Sequence, residues 1–398
     1  MNLLGWMRAP EESLAQWDDH TALAAAVRAD GLSRTLVCGM GGSSLVADVL
    51  AETFGVRSLQ VLDSTNPEAV RAAGQGPDLA RTLFVISSKS GNTIETLAFC
   101  RYFAARARPD QFIAITETGT PLAEIARRQK FRAVIPHPPD VGGRYSALTA
   151  IGMVPAALSG LDGRTLLERT RRVDIPAAQA MGTAIADRAR AGRDKLRVSP
   201  PPPIAALASW IEQLIAESSG KDGRGVIPIV QDRPPVGAAL PDSQTAGPEM
   251  FSADPLDLGV EFQRWEYATA ALCERLGVNA FDQPDVEEAK KLARAELTGG
   301  AELTGGEVGA GVGKVGAQHA APLHTLTLAQ LRAAYRPRDY VAITTDIRED
   351  VEIPEMGWTF GQLHHAQARG DVRALLARGR RVAHVHLSSL AELSQLMP

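Results

Sequence analysis

Apolar positions in the first 160 residues follow two alternating spacings. Short runs rich in β-branched and aromatic side chains recur near 34–38, 58–63, 82–87, 112–117 and 131–136, and they predict buried strands. Between them, apolar residues return every three or four positions near 43–54, 67–73, 93–107, 120–129 and 145–158, which predicts amphipathic helices. Strands separated by helices imply parallel pairing, because a crossover helix returns the chain to the start of a neighbouring strand. A polar helical stretch over 165–193 then passes through Pro200-Pro201-Pro202-Pro203 into a second pattern. This comprises a helix over 204–216, a strand over 226–230, helices over 260–276 and 286–295, and strands near 339–345 and 381–387. The expected class is therefore α/β, with two doubly wound parallel-sheet domains at 1–175 and 176–398, each a three-layer α/β/α unit. Within the second, residues 298–322 are glycine-rich and overlap a direct repeat, Ala295 to Gly300 followed by Ala301 to Gly306, expected to form a mobile surface loop.

Two polar turns interrupt this pattern where a strand should give way to a helix. After the strand ending at Ser87 comes Ser88-Lys89-Ser90-Gly91-Asn92-Thr93, and the helical spacing begins at Ile94. The first amides of a helix lack internal partners and sit at the positive end of its dipole. A dianion placed there gains backbone donors as well as the hydroxyls of Ser88, Ser90 and Thr93. An ordinary helix cap uses one hydroxyl, and this turn offers several. The second turn, Gly39-Met40-Gly41-Gly42-Ser43-Ser44, could pass for a dinucleotide fingerprint with Asp63 on the ribose, except that Ser44 occupies the third glycine position. Two phosphate-type turns on neighbouring strands suit one small sugar phosphate better. Gly42 would let the backbone approach the ligand, and Ser43 would cap the helix and reach it.

Composition narrows the setting. With 45% hydrophobic and 22% charged residues, the 398-residue chain can bury two cores. A net charge of −4 argues against a general nucleic-acid surface, so an anionic ligand must be held by local turns and single cationic side chains. Cys38, Cys100 and Cys273 lie in apolar segments and cannot all pair, which suggests buried thiols in a reducing, cytoplasmic compartment. No apolar run reaches eighteen residues, so neither a signal peptide nor a membrane span is expected.

Taken together, several motifs resemble those of the phosphoglucose isomerase family. They are the two turns above, Val141-Gly142-Gly143-Arg144-Tyr145-Ser146, Ala216-Glu217-Ser218-Ser219-Gly220-Lys221, and Phe281-Asp282-Gln283-Pro284-Asp285-Val286-Glu287-Glu288-Ala289-Lys290, all in the family's order. The stretch from Trp358 to Asp371 is similar to the C-terminal end of the shortened bacterial form that also occurs fused to a transaldolase. The resemblance implies two sugar-isomerase domains and interconversion of glucose 6-phosphate and fructose 6-phosphate, a step of glycolysis and gluconeogenesis. It also implies a small sugar phosphate as ligand, no cofactor and no metal, no nucleic-acid or membrane partner, and a homodimer. Glu217 and Lys290 fall on the family's catalytic positions, with Arg144 beside the reacting oxygens. Gly42, Ser43, Ser88, Lys89, Ser90, Thr93 and Gln283 fall on substrate-binding positions.

The chemistry fits these residue types. Moving a proton between C1 and C2 of an α-hydroxy carbonyl needs one carboxylate as base and a cation to stabilise the enediolate. Read alone, Glu217 is no different from a solvated glutamate such as Glu212; the resemblance selects it. Arg144 offers fixed donors from a Gly-Gly turn, although a structural ion pair would read the same way. Lys290, four residues after Val286, lies nearer the apolar face of its helix than Lys291 does. One departure stands out: no histidine occurs between 138 and 318, where the family supplies one for opening the sugar ring. Two other readings stay open, an isomerase that also accepts mannose 6-phosphate and a sugar-phosphate-binding module without turnover.

Overall fold

The computed structural model describes residues 3–74, 77–221, 224–230 and 241–282, together with the backbone of four short strands further on. The chain divides into two compact units, Met1–Arg294 and Ala295–Pro398.

In chain order the first unit contains α1 (Ala9–Ala15), α2 (Trp17–Ala29), β1 (Arg34–Cys38), α3 (Leu45–Phe54), β2 (Leu59–Leu62), α4 (Pro67–Ala73), β3 (Thr82–Ser87), α5 (Ile94–Ala104), β4 (Phe112–Thr116), α6 (Pro121–Arg128) and β5 (Ala133–Pro136). The five strands form one parallel sheet in the order β2-β1-β3-β4-β5. Both faces of this sheet are buried, which explains why its strands read as continuous apolar runs. Leu36, Phe84, Ile86, Phe112 and Ala114 pack with Phe99, Cys100 and Phe103 of α5 and with Leu122 and Ala126 of α6. Alternate residues Val37, Leu83, Val85, Ile113 and Ile115 join the larger core on the other face. On the first face, Phe84 stacks on Phe103 at 4.6 Å and on Phe112 at 5.0 Å, and each such fully buried ring contributes roughly 1.5–3 kcal/mol through burial alone.

The chain continues through α7 (Ala150–Leu158), α8 (Gly163–Arg169) and α9 (Ile175–Arg190) to β6 (Lys195–Val198), α10 (Leu207–Ser219), β7 (Ile227–Val230), β8 (Ser243–Ala246) and α11 (Leu258–Leu276). The three strands pair in parallel in the order β7-β6-β8. That repeats the β2-β1-β3 arrangement of the first sheet, with a helix in the same place after the central strand. The second unit, described by its backbone alone, holds a parallel pair, β9 (Tyr340–Thr345) with β12 (Val382–Leu387), and an antiparallel pair, β10 (Glu352–Ile353) with β11 (Trp358–Thr359). Residues 298–322 lie outside the described residues.

Several local expectations shift. Strands β6 and β8 are too polar to be read from hydrophobic pattern, yet Ser243 and Gln244 of β8 are buried. The Gln244 amide is tolerated there because its Nε2 donates to Ile185 O at 3.0 Å and Arg193 O at 2.8 Å. The stretch over 165–193 breaks into α8 and α9 because the Asp174 carboxylate accepts from Ala177 N at 3.0 Å, a cap that starts a new helix. Helix α7 begins at Ala150 rather than 145, since Gly143–Tyr145 form a 3-10 turn and Thr149 caps the helix proper. Helix α10 runs on to Ser219, which places Glu217 inside its last turn.

Candidate active site

In a doubly wound sheet the crevice opens at the carboxyl ends of the strands, where the strand order reverses. Here that is the gap between β1 and β3, and the two polar turns follow those strands. After β1, Gly41 adopts φ +55°, and Gly42 passes so close to the Gly143–Arg144 turn that a β-carbon on it would lie 2.5 Å from Gly143 O. Glycine at 42 thus serves contact between two loops. Ser43 is half-buried at the start of α3, and the buried Ser44 hydroxyl donates to Gly41 O at 3.2 Å.

After β3, the loop is tied to itself. The hydroxyls of Ser88 and Thr93 are 2.9 Å apart, and Ser88 Oγ accepts from Gly91 N at 3.1 Å. Ser90 Oγ donates to Asn92 Oδ1 at 2.7 Å. Gly91 has φ +60°, and a β-carbon there would meet the Thr120 hydroxyl. Lys89 pairs with Glu117 at 3.4 Å, both partly exposed. Thr93 is the N-cap residue of α5, and its side chain makes no capping bond to the helix.

Arg144 and Glu217 come together from different elements. The guanidinium is 2% exposed and its Nη1 lies 3.5 Å from Glu217 Oε2, while the carboxylate is 33% exposed. Arg144 Nε donates to Ser218 Oγ at 2.7 Å, and Nη2 donates to Ala280 O and to Asp282 O, the latter at 3.2 Å. The other carboxylate oxygen of Glu217 accepts from Gln213 Nε2 at 2.9 Å. Gln213 in turn sits against Gly41, where a β-carbon would lie 2.5 Å from Nε2. A partly exposed carboxylate is thereby oriented from both sides and faces a cation that is itself anchored to backbone carbonyls. Such an arrangement can take a proton from carbon and stabilise an adjacent oxyanion. Gln283 and Lys290 lie outside the described residues.

Two further groups near this site escaped the sequence reading. Gln213 precedes Glu217 by one helical turn on the same face, a spacing that was available as a signal. His137 stands one residue before the histidine-free interval. It is 2% exposed, and its Nε2 lies 3.1 Å from Ser146 Oγ, whose own proton goes to Gly142 O at 2.9 Å. The pair ties the imidazole to the turn that presents Arg144. Burial, with the Lys89 charge adding to it, pushes the His137 pKa down to about 4, so the ring is neutral near pH 7. Tyr145 Oη is 3.4 Å from Ser218 Oγ, and burial pushes its ionisation up.

A parallel sheet with polar turns at its switch point, and a carboxylate–guanidinium pair beside them, place the chain among the sugar-isomerase α/β folds. Two solved structures share that fold. One is a hypothetical protein from Thermus thermophilus, with TM-score 0.63, 23% identity and coverage of 74% of this chain and 90% of that one. The other is a glucose-6-phosphate isomerase from Chlamydia trachomatis, with TM-score 0.59, 18% identity and coverage of 74% and 75%. No family model matches the chain. Among curated sequences, a probable glucose-6-phosphate isomerase from Haloarcula marismortui is 32% identical over 302 residues, covering 70% of this chain and 64% of the relative. A probable glucose-6-phosphate isomerase from Methanococcus maripaludis is 25% identical over 350 residues, covering 66% and 78%. A glucose-6-phosphate isomerase from a Synechococcus strain is 29% identical over 356 residues, covering 65% and 65%. The chain is thus similar to glucose-6-phosphate isomerases, and it spans just under two thirds of the length of the first and third of these relatives.

Proposed function

We propose that this protein interconverts glucose 6-phosphate and fructose 6-phosphate through an enediolate. The observation that carries the reading is the pairing of Glu217 with the buried Arg144, 3.5 Å apart and at the carboxyl ends of two strands whose turns suit a phosphate. In this mechanism the ligand's phosphate binds at the turn from Ser88 to Thr93, against the first amides of α5. Glu217, fixed by Gln213, removes the proton from C2 and returns it to C1, and Arg144 stabilises the charge on the oxygens between them. Similarity to glucose-6-phosphate isomerases supports the substrate pair. A homodimer follows from the same resemblance, and three free, buried cysteines support a cytoplasmic setting. Among the described residues no helix is long and apolar enough to cross a membrane.

The test is a coupled assay on purified protein with glucose 6-phosphate in EDTA, run beside Glu217→Gln. The wild-type protein should turn over steadily. The variant should keep sugar-phosphate affinity but lose three or more orders of magnitude, roughly, in kcat, since a group that acts only in the proton transfer costs nothing in binding. A variant that retains about a tenth of the wild-type rate removes Glu217 from the role of base.

A further inference from the structure

The chain between α11 and the first residue beyond Asp282 is held by two cations from separate parts of the sequence. Helix α11 stops at Gly277, which takes the left-handed conformation at φ +74°, and the chain turns through Asn279, Ala280, Phe281 and Asp282. Arg144 donates to the carbonyls of Ala280 and Asp282. Lys221, two residues past the end of α10 and only 7% exposed, donates from Nζ to Asn279 O and pairs with Asp282 Oδ1 at 2.7 Å. Asn279 Oδ1 accepts from Phe281 N at 3.0 Å, and the Phe281 ring packs on Tyr145 with centroids 5.2 Å apart. The carbonyls of Asn279, Ala280 and Asp282 are thus all taken by two side chains.

An ion pair to a half-exposed partner contributes little to stability, since Asp282 is 50% exposed. Burying the lysine stem and ammonium only to gain that pair would bring no advantage over an apolar residue. What the lysine adds is direction. Its bonds fix the segment whose carbonyls Arg144 also uses, and Arg144 is the group that sets the spacing to Glu217. We propose that Lys221 is a positioning residue: by latching 279–282 it holds Arg144 in register with Glu217 for the proton transfer. This rests on the isomerase reading above.

Three readouts test it in the full-length protein: kcat and KM, affinity for glucitol 6-phosphate as a ligand without a carbonyl, and amide hydrogen exchange over 278–282. Lys221→Met should lower kcat by about tenfold to a hundredfold, as expected when catalytic groups shift by an ångström or less. Affinity for glucitol 6-phosphate should stay within about threefold, because the phosphate turns are untouched. Exchange over 278–282 should quicken, and Lys221→Arg should restore part of the rate. Asp282→Ala, which alters a half-exposed side chain and so leaves folding intact, should shift the same readouts in the same direction. A kcat within about twofold of wild type in both variants, or a loss of analogue affinity as large as the loss of kcat, overturns the proposal. If the wild-type protein fails to isomerise, the functional reading falls, and the latch is then judged by exchange alone: unchanged exchange in Lys221→Met refutes it.

Discussion

At the scale of single residues, the site depends on close packing of backbone as much as on charged groups. Gly42 touches the turn that presents Arg144, and an added β-carbon would lie 2.8 Å from Arg144 N as well as 2.5 Å from Gly143 O. Neither contact is to a flexible side chain that could swing away. Gly42→Ala should therefore destabilise the fold by about 1–3 kcal/mol and lower kcat by displacing the turn. Urea unfolding and steady-state kinetics on one preparation check both effects, and a variant matching wild type in each would show that the two loops part without cost. Glycine was expected at this position, but for approach to a ligand. That the neighbour is Gly143 is a fact about two turns about a hundred residues apart.

Among the elements, α5 and the loop before it form the phosphate candidate. Strand, polar turn and helix were all readable in order, because a continuous apolar run ends at Ser87 and a 3.6-residue pattern begins at Ile94. The bonds inside the loop were not readable. Since Ser88 and Thr93 bond each other at 2.9 Å, they act as one unit. Ser88→Ala and Thr93→Val should each weaken sugar-phosphate binding by about 1–2 kcal/mol, and the double variant by less than the sum. The change should fall mainly on KM. Calorimetry with glucitol 6-phosphate measures it, and strict additivity would show that each hydroxyl meets the ligand independently. Polar strand β8 carries the opposite lesson, for the burial of Gln244 depends on Ile185 O and Arg193 O, partners that no local pattern reveals.

For the whole molecule, buried titratable groups link stability to pH. His137 titrates near its ordinary 6.5 when unfolded and at about 4 when folded, so the unfolded chain binds the extra proton between those values. Stability then falls as pH drops from about 6.5 to about 4, by roughly 3 kcal/mol from this group. Glu266 works in the other direction: it is 1% exposed, and burial holds its carboxyl well above the usual range, so its unfolded form releases a proton first and its contribution declines as pH rises. Comparing His137→Gln with wild type isolates the histidine. Their difference in urea-unfolding free energy should narrow between pH 7 and pH 4.5, and a difference independent of pH would show that the ring is hydrated. The amino-acid sequence by itself determined the α/β class and the two phosphate-type turns, because these follow from local periodicity and short motifs, whereas Arg144 and Glu217 were selected by the resemblance of their motifs to those of a known family. Only the tertiary structure decided that Gln213, Ser218 and Lys221 hold that pair in place and that His137 is buried and neutral, because such contacts depend on which distant backbone segments share one crevice.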